Sequence, residues 1–389
     1  LVRDQVEDLK DYSDPERSSL HSWYYGPVTI LVAEYILATG DKEYLPDLER
    51  LTTEIVQGQS VVGSWGHRFV QGSGILSGYG MMNAPGLPLT TSLVLARAAG
   101  VKDPALDEAI DKSTRLLRFY VGKGSIPYGD HRPWTQTHDD NGKNGVAAVM
   151  FNLLDDAEAA EYFSRMGTAS HSAEREMGHT GNFFNLLWAM PSVALSGPKA
   201  TGSWMQEYGW YYDLARRWDG TYRHQGPPEE RKDQYANWNS TGAYLLAYAQ
   251  PLRQIYLTGK KQGLVPQIDK ATAAGLLNDG RDWSPRFKNE VYADRDEAEL
   301  LEGLKSWSPI VRERAAIALG NLDGNPTIAL IAMLEAEESH TRIGACQGLA
   351  FLKVRAASAV PALREVLNSD DVWLCIKAAE ALAAIGQDA

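Results

Sequence analysis

The last hundred residues of the chain contain an internal repeat, and a repeat restricts the possible folds more strongly than composition does. Residues 312–322 align with residues 342–352, and a third copy occupies residues 376–385. Each copy follows a short polar turn, and further helices with apolar periodicity are predicted at residues 326–334 and 359–367. The pattern predicts pairs of helices that stack in one dimension.

Paired helices of this length, with small residues at their contact face, resemble HEAT repeats. The resemblance implies a short α-solenoid over residues 294–389 that presents a surface to a protein partner. The alternative is that the repeats only support the preceding part of the chain.

The aromatic residues mark a domain boundary. Eight of the 11 Trp and 17 of the 18 Tyr precede residue 258, whereas the end of the chain is rich in Ala, Leu and Glu. We therefore predict an N-terminal domain over residues 1–258, a connector over residues 259–293, and the repeats over residues 294–389.

The N-terminal part alternates two kinds of predicted helix. Five mostly apolar segments each begin in a loop rich in Gly, Asn, His and Tyr; they occupy residues 24–37, 86–95, 141–151, 181–188 and 239–248. Between them lie charged segments with one apolar face, at residues 42–57, 103–121, 156–166 and 203–217. Such alternation predicts a set of inner helices wrapped by amphipathic outer helices.

This all-α pattern resembles the α/α-toroid of terpenoid cyclases, protein prenyltransferases and several families of glycan hydrolases and lyases. The resemblance covers about residues 15–258. Together with the HEAT-like repeats, the chain is similar to an uncharacterised bacterial family of toroid-plus-HEAT proteins, which implies a fold and no activity. An irregular α-solenoid that continues the C-terminal repeats is the alternative.

Composition excludes several classes of function. A net charge of −12 without a basic run argues against a nucleic-acid partner, and no apolar stretch is long enough for a membrane span. Cys346 and Cys375 cannot form a disulfide framework or a zinc site by themselves. The sequence contains no HExxH or CxxC spacing, no P-loop and no dinucleotide fingerprint, so we predict no metal and no cofactor. The sequence begins at Leu1, which indicates a piece of a longer protein without its targeting segment.

The loops before the inner helices are the best candidates for a functional site. A toroid brings the N-termini of its inner helices together, and their dipoles favour an anionic or oxygen-rich ligand. The five approaches are residues 21–25, 79–83, 138–141, 179–182 and 237–239, and they contain three of the eight histidines. Asn and Asp in these loops have an alternative role as helix caps, which histidine and tyrosine do not share.

The densest polar cluster, residues 129–145, indicates action on an acidic polysaccharide. A lyase needs a group that neutralises the uronate, a base for the C5 proton and an acid for the leaving oxygen. The predicted catalytic residues are His179 or His138 as the base, Tyr79 or Tyr25 as the acid, and Asp139 and Asp140. The predicted substrate-binding residues are Asn83, Arg132, Asn141, Lys143, Asn144, Asn182, Asn185, Asn237, Trp238 and Asn239.

Other functions stay open at this point. A glycoside hydrolase would pair Asp139 or Asp140 with Glu176, and a terpenoid cyclase would use Thr137–Asp140 as a degenerate acid motif. A non-catalytic module would bind a glycan or a peptide and use the repeats as a scaffold. Residues 216–225 form either a basic rim subsite or an ordinary solvated turn. A glycan substrate would favour a secreted or periplasmic location.

Overall fold

The computed structural model describes residues 2–12, 21–76, 78–170, 174–175, 183–225, 237–281 and 292–386. Within these ranges the chain is all-helical, as predicted, and extended pairing is limited to isolated bridges such as Met82–Gly129 and Ser125–Trp134. No helix in the described part of the chain is long and apolar enough to cross a membrane.

The chain divides into two compact units. The first contains Leu1–Val121, Ser125–Trp134 and Asp139–Asn278. The second contains Gly122–Gly124, Thr135–His138 and Asp279–Ala389. Two short segments from the middle of the chain therefore belong to the unit that holds the repeats.

Ten helices of the described residues lie in the first unit, and an eleventh spans its C-terminal boundary. They are α1 (Val2–Tyr12), α2 (His21–Thr39), α3 (Leu45–Gln57), α4 (Asn83–Ala99), α5 (Pro104–Arg118), α6 (Lys143–Leu153), α7 (Ala157–Ala169), α8 (Phe183–Leu195), α9 (Pro198–Ala215), α10 (Thr241–Ala249) and α11 (Lys270–Arg281).

The expected alternation of helices is present in the first unit. Helices α2, α4, α6, α8 and α10 pack each on the next, and α3, α5, α7 and α9 each pack on an even-numbered neighbour. Every residue of α6 is buried, whereas α5 buries one face through Leu106, Ile110 and Leu117. A helix that is mostly apolar on every face is suited to a buried position, and a helix with one apolar face buries that face.

Helices α6 and α8 approach closely because glycines lie at the start of α6. A Cβ atom on Gly145 would lie 2.9 Å from the carbonyl oxygen of Trp188, and one on Gly142 would overlap the carbonyl of Phe184. Gly142 also has a φ of +68°, which glycine adopts without strain. The start of α6 is thereby fixed against the start of α8.

A buried carboxylate on α2 binds the segment of chain that follows α10. Glu34 of α2 accepts hydrogen bonds from the backbone N–H groups of Tyr256 and Leu257, at 2.9 and 2.7 Å. Lys260 donates to the carbonyl of Leu37 at 2.6 Å. Burial raises the pKa of Glu34, and the two backbone donors oppose that rise.

Two boundaries differ from the sequence prediction. Helix α9 begins at Pro198, five residues before the predicted start, because proline is well suited to the first helical position. It ends at Ala215, since Arg216 pairs with Tyr222 in an isolated bridge. The predicted connector contains helix α11, which buries Ala273, Leu276 and Leu277 at helical spacing.

The second unit contains the helical repeats. Its helices are α12 (Glu297–Gly303), α13 (Pro309–Asn321), α14 (Thr327–Met333), α15 (Ser339–Leu352), α16 (Val360–Val366) and α17 (Val372–Ile385), with a 3-10 turn at Lys353–Ala359. The repeated segments found in the sequence are α13, α15 and α17, which pack in that order. Asp296, Ser308 and Asp371 cap α12, α13 and α17 through their side chains.

Candidate functional site

His138, a predicted base, lies in the second unit and is fully buried. Its Nε2 is 2.8 Å from Oγ of Ser308, and its ring lies near Trp307. A polymer cannot reach an imidazole with no exposed surface. Because His138 is buried, the proposal made below gives the role of the base to a different histidine.

Asp139 and Asp140 hold the start of α6. The two carboxylate oxygens of Asp139 accept the backbone N–H groups of Asn144 and Gly145, at 3.0 and 3.1 Å. The Lys143 ammonium forms an ion pair with Asp140 and also donates to its carbonyl oxygen. The capping interpretation thus accounts for Asp139, while Lys143 is buried and bound to its own loop.

Three of the predicted substrate-binding asparagines bond to neighbouring chain. Asn83 donates to the carbonyls of Pro127 and Gly129, at 3.0 and 3.2 Å. Asn144 accepts from the N–H of Ile126 and donates to Ser125, and Asn185 donates to the carbonyl of Asp139. All three are buried, so these contacts, not a substrate, satisfy their amides.

Tyr25, a predicted acid, contacts helix α3. Its hydroxyl donates to Glu54 of α3 at 2.5 Å, and only 2% of the residue is exposed. Burial raises its pKa, with Glu54 adding to the effect. A buried phenol held by a carboxylate is not available to protonate a leaving group, so we do not assign Tyr25 as the acid.

Tyr79 belongs to an aromatic–imidazole cluster in the first unit, and its side chain is 56% exposed. The cluster consists of Trp23, His67, Tyr79, Tyr128 and His131. Trp23 stacks on His67 and donates its indole N–H to Nδ1 of that ring at 3.0 Å. Tyr79 makes edge contacts with the rings of His67, Tyr128 and His131.

Tyr79 and His131 form a pair of exposed side chains. The Tyr79 hydroxyl lies 3.4 Å from Nε2 of His131, and both residues are exposed. The distance is that of a weak hydrogen bond, and such contacts shorten when a substrate is bound. The arrangement offers one proton donor and one proton acceptor side by side.

Two loops bring the pair together. Residues 79–82 precede α4, and the loop Ser125–Trp134 lies against them through the Met82–Gly129 bridge and the N–H of Asn83 on the Tyr128 carbonyl. A Cβ on Gly129 would lie 2.7 Å from Cε1 of Tyr79, so glycine is needed for this approach. Ser125 and Trp134 close the loop by exchanging two backbone hydrogen bonds.

Further aromatic rings continue the cluster toward α8 and α10. Trp23 stacks on Phe184, which contacts Phe183, and Phe183 contacts Trp238 with ring centroids 6.2 Å apart. Trp238 is 52% exposed. The row follows the starts of the even-numbered helices and offers a series of ring faces.

The remaining predicted residues lie at several places. Arg132 is exposed next to His131, and Asn237 and Asn239 are exposed on either side of Trp238. Asn239 caps α10 by accepting the N–H of Thr241. Asn141 is buried with a φ of 50°, a conformation that Asn tolerates better than most residues. His179 and Asn182 lie outside the described residues.

Sequence analysis did not select His131, His67, Trp23 or Tyr128 as site residues. His131 lies in the dense polar cluster of residues 129–145 and Trp23 in the first approach segment, so a signal was present for both. His67 follows a turn of glycine and aromatic residues at residues 63–66, and Tyr128 lies within a second such turn at residues 124–129; both segments have the composition of ordinary loops. Their proximity depends on contacts between distant residues, such as Trp23 with His67, 44 positions apart, and Tyr79 with His131, 52 positions apart.

A cavity of about 450 Å³ in the first unit contains no member of the cluster. It is lined by three arginines, two aspartates, a threonine and three apolar side chains: Arg97, Arg115, Arg118, Asp111, Asp156, Thr114, Ile110, Phe151 and Leu154. Arg97 is paired with Asp107, and Arg118 is paired with Asp156 and Glu158. The described residues contain no group of three His, Cys, Asp or Glu side chains placed to hold a metal ion.

Asp139→Asn should change how stability depends on pH. Burial raises the pKa of Asp139 to about 7, although Lys143 and the two N–H donors oppose the rise. Above pH 3.8, the ordinary pKa of the group, the unfolded chain releases a proton that the folded chain keeps. The contribution of Asp139 to the free energy of unfolding is therefore complete below pH ~4 and is lost as pH rises through ~7. We expect the free energy of unfolding of the wild type to fall by about 2.5 kcal/mol between pH ~5 and pH ~8, and we expect no such fall in the variant.

Urea unfolding of both proteins across this pH range measures the effect. Asp219→Asn is the matched control in the same unit, because hydrogen bonds from Thr221 lower the pKa of Asp219 and keep it ionised throughout the range. A wild-type curve parallel to that of Asp139→Asn would contradict the buried, protonated carboxyl.

Two family models match the chain. Residues 1–259 match the family described as a domain of unknown function, DUF6288. Residues 297–383 match HEAT repeats, which confirms the prediction for the C-terminal part. No curated protein and no solved structure matches the chain significantly. With a match over more than half of its length, the chain belongs to the DUF6288 family and carries a C-terminal HEAT-repeat region.

Proposed function

We propose that the first unit is an α/α-toroid with its functional site at the starts of the inner helices. The order in which α2, α4, α6, α8 and α10 pack supports this proposal. The hydrogen bonds from Tyr256 and Leu257 to Glu34 support closure, because they return the chain to the first inner helix.

At this site the protein cleaves an acidic polysaccharide by β-elimination. The observation that carries the proposal is the exposed Tyr79–His131 pair, with the Tyr79 hydroxyl and Nε2 of His131 3.4 Å apart in a partly exposed aromatic cluster. A pair of this kind supplies both the base and the acid that elimination needs. Aromatic rings such as Trp23 and Trp238 suit the apolar faces of sugars in a polymeric substrate.

The step balances without a cofactor. Neutral His131 takes the C5 proton at Nε2, the C4–O4 bond breaks, a C4–C5 double bond forms, and the Tyr79 hydroxyl gives its proton to the leaving O4. The proton on His131 then passes to the Tyr79 oxygen across their contact and restores both groups. Arg132, exposed beside His131, neutralises the uronate and stabilises the charge that develops on it.

The geometry also favours one stereochemistry. Because the acid and the base stand side by side, the C5 hydrogen and the C4 oxygen must lie on the same face of the sugar ring. Glucuronate and mannuronate have this arrangement, whereas galacturonate and guluronate place the two on opposite faces. The proposed substrate is therefore a polymer that contains glucuronate or mannuronate.

The test is incubation with hyaluronan, polymannuronate, polygalacturonate, polyguluronate and a neutral glucan. The unsaturated uronate end is read by its ultraviolet absorbance, and reducing ends are counted in parallel. Both signals should rise together with the first two polymers only. A rise with all four acidic polymers would remove the stereochemical part, and no rise with any polymer would overturn the lyase.

A non-catalytic module is the second candidate, favoured by the HEAT repeats, since such repeats often bind proteins. Retention of the protein in gels that contain these polymers, with no cleavage of them, would support glycan binding without catalysis. If the protein is not retained and no polymer is cleaved, the remaining candidate ligand is a protein partner of the HEAT repeats.

A further inference from the structure

We propose that helix α13 of the HEAT-repeat region clamps the stem of the loop that carries His131, and that Arg312, Arg314 and His138 are positioning residues for the Tyr79–His131 pair. The loop is Ser125–Trp134, and its stem is formed by Gly122–Gly124 and Thr135–His138, the two segments that belong to the second unit. The functional part of this inference rests on the proposed function; the clamp itself does not.

Two buried arginines of α13 bind the two segments that form the stem. Arg312 is 1% exposed and donates to the carbonyls of Ser306 and Trp307, at 2.7 and 3.0 Å, and to that of Gly122 at 3.3 Å. Arg314 donates to the carbonyl of Asp279 at 2.9 Å and to that of Gln136 at 3.3 Å. Each guanidinium therefore connects one segment of the stem to α13 and to a second part of the chain.

His138 provides the third contact. Its Nε2 is 2.8 Å from Oγ of Ser308, and the same oxygen accepts the N–H of Val311 as the cap of α13. The stem is thus tied to the first turn of the helix as well as to the arginines one turn later. All three groups are buried, where hydrogen bonds are costly to lose.

The geometry of the stem explains why the site would respond. The loop Ser125–Trp134 is ten residues long and is closed at its base by the backbone pair of Ser125 and Trp134. If either segment of the stem moves, the hydrogen bonds between Ser125 and Trp134 weaken. His131 should then move as well, because it lies three residues before Trp134. Small shifts at a reacting group reduce rates strongly, so a clamp that restrains the stem should limit the loss of rate that movement of His131 would cause.

The experiment compares hydrogen exchange in the wild type, Arg314→Met and Arg355→Met by mass spectrometry of peptides from the full chain. Arg355 is the matched control, because it also donates to backbone carbonyls of the second unit, those of Gly320, Leu322 and Gly324, and does not contact the stem. Arg314→Met should speed exchange over residues 125–134 at least tenfold, with α7 unchanged as the internal reference.

Equal exchange over residues 125–134 in all three proteins would overturn the clamp, and so would equal acceleration in the two variants. His138→Leu should accelerate the same peptides, and His138→Gln, which keeps a hydrogen-bonding side chain, should restore much of the protection. If the protein is a lyase, Arg314→Met should lower kcat more than it changes KM. Faster exchange in a protein without lyase activity would keep the clamp and remove only the proposed function.

Discussion

Tyr79→Phe is expected to lower the kcat of elimination by about 10²–10⁴-fold, because the hydroxyl is the proposed proton donor to the leaving oxygen. KM should change little, since the ring that contacts Tyr128 and His67 is retained. Steady-state rates on a glucuronate polymer measure both constants. Tyr35→Phe is the control, because Tyr35 is bonded to Asp41 at the other end of α2.

The two members of the pair should not act additively. His131→Ala alone should cost about as much as Tyr79→Phe, and the double variant should be little slower than either, because each group is useless without the other. A double variant whose loss equals the product of the single losses would show that Tyr79 and His131 work independently, against the proposed proton return between them.

Gly142→Ala is expected to lower the free energy of unfolding by about 3 kcal/mol. A side chain there meets the carbonyl of Phe184 and must adopt a φ near +68°. Gly202→Ala is the control, since Gly202 lies in α9 with open space around it, and the change should raise stability by up to about 1 kcal/mol. Urea unfolding followed by circular dichroism measures both, and equal effects would contradict the close approach of α6 and α8.

Helix type and order followed from the sequence because they depend on local periodicity. The spacing of apolar residues in α6 and α5 predicts which of their residues are buried: nearly all of those in α6 and one face of α5. The repeats were evident for the same reason, since α13, α15 and α17 share a pattern in a narrow range of sequence. Helix α11 was missed because a short apolar face at Ala273, Leu276 and Leu277 lies among Gly, Lys and Asp residues.

The candidate site was harder to predict, because a residue type does not identify its partner. Asp139 suits both a catalytic acid and a helix cap, and only its bonds to Asn144 and Gly145 distinguish the two roles. His138 bonds to Ser308, 170 residues away in the chain, and no local pattern indicates that contact. The Tyr79–His131 pair likewise joins two loops that are 52 residues apart.

The most direct test of the central claim is mass spectrometry of the products from a defined glucuronate oligosaccharide. Elimination adds no water, so the masses of the two products should sum to that of the substrate, and one product should carry the unsaturated uronate. Tyr79→Phe should leave the substrate intact over the same period. Products whose masses sum to the substrate plus one water molecule would identify a hydrolase, and an unchanged substrate with the wild type would contradict catalysis on this class of glycan.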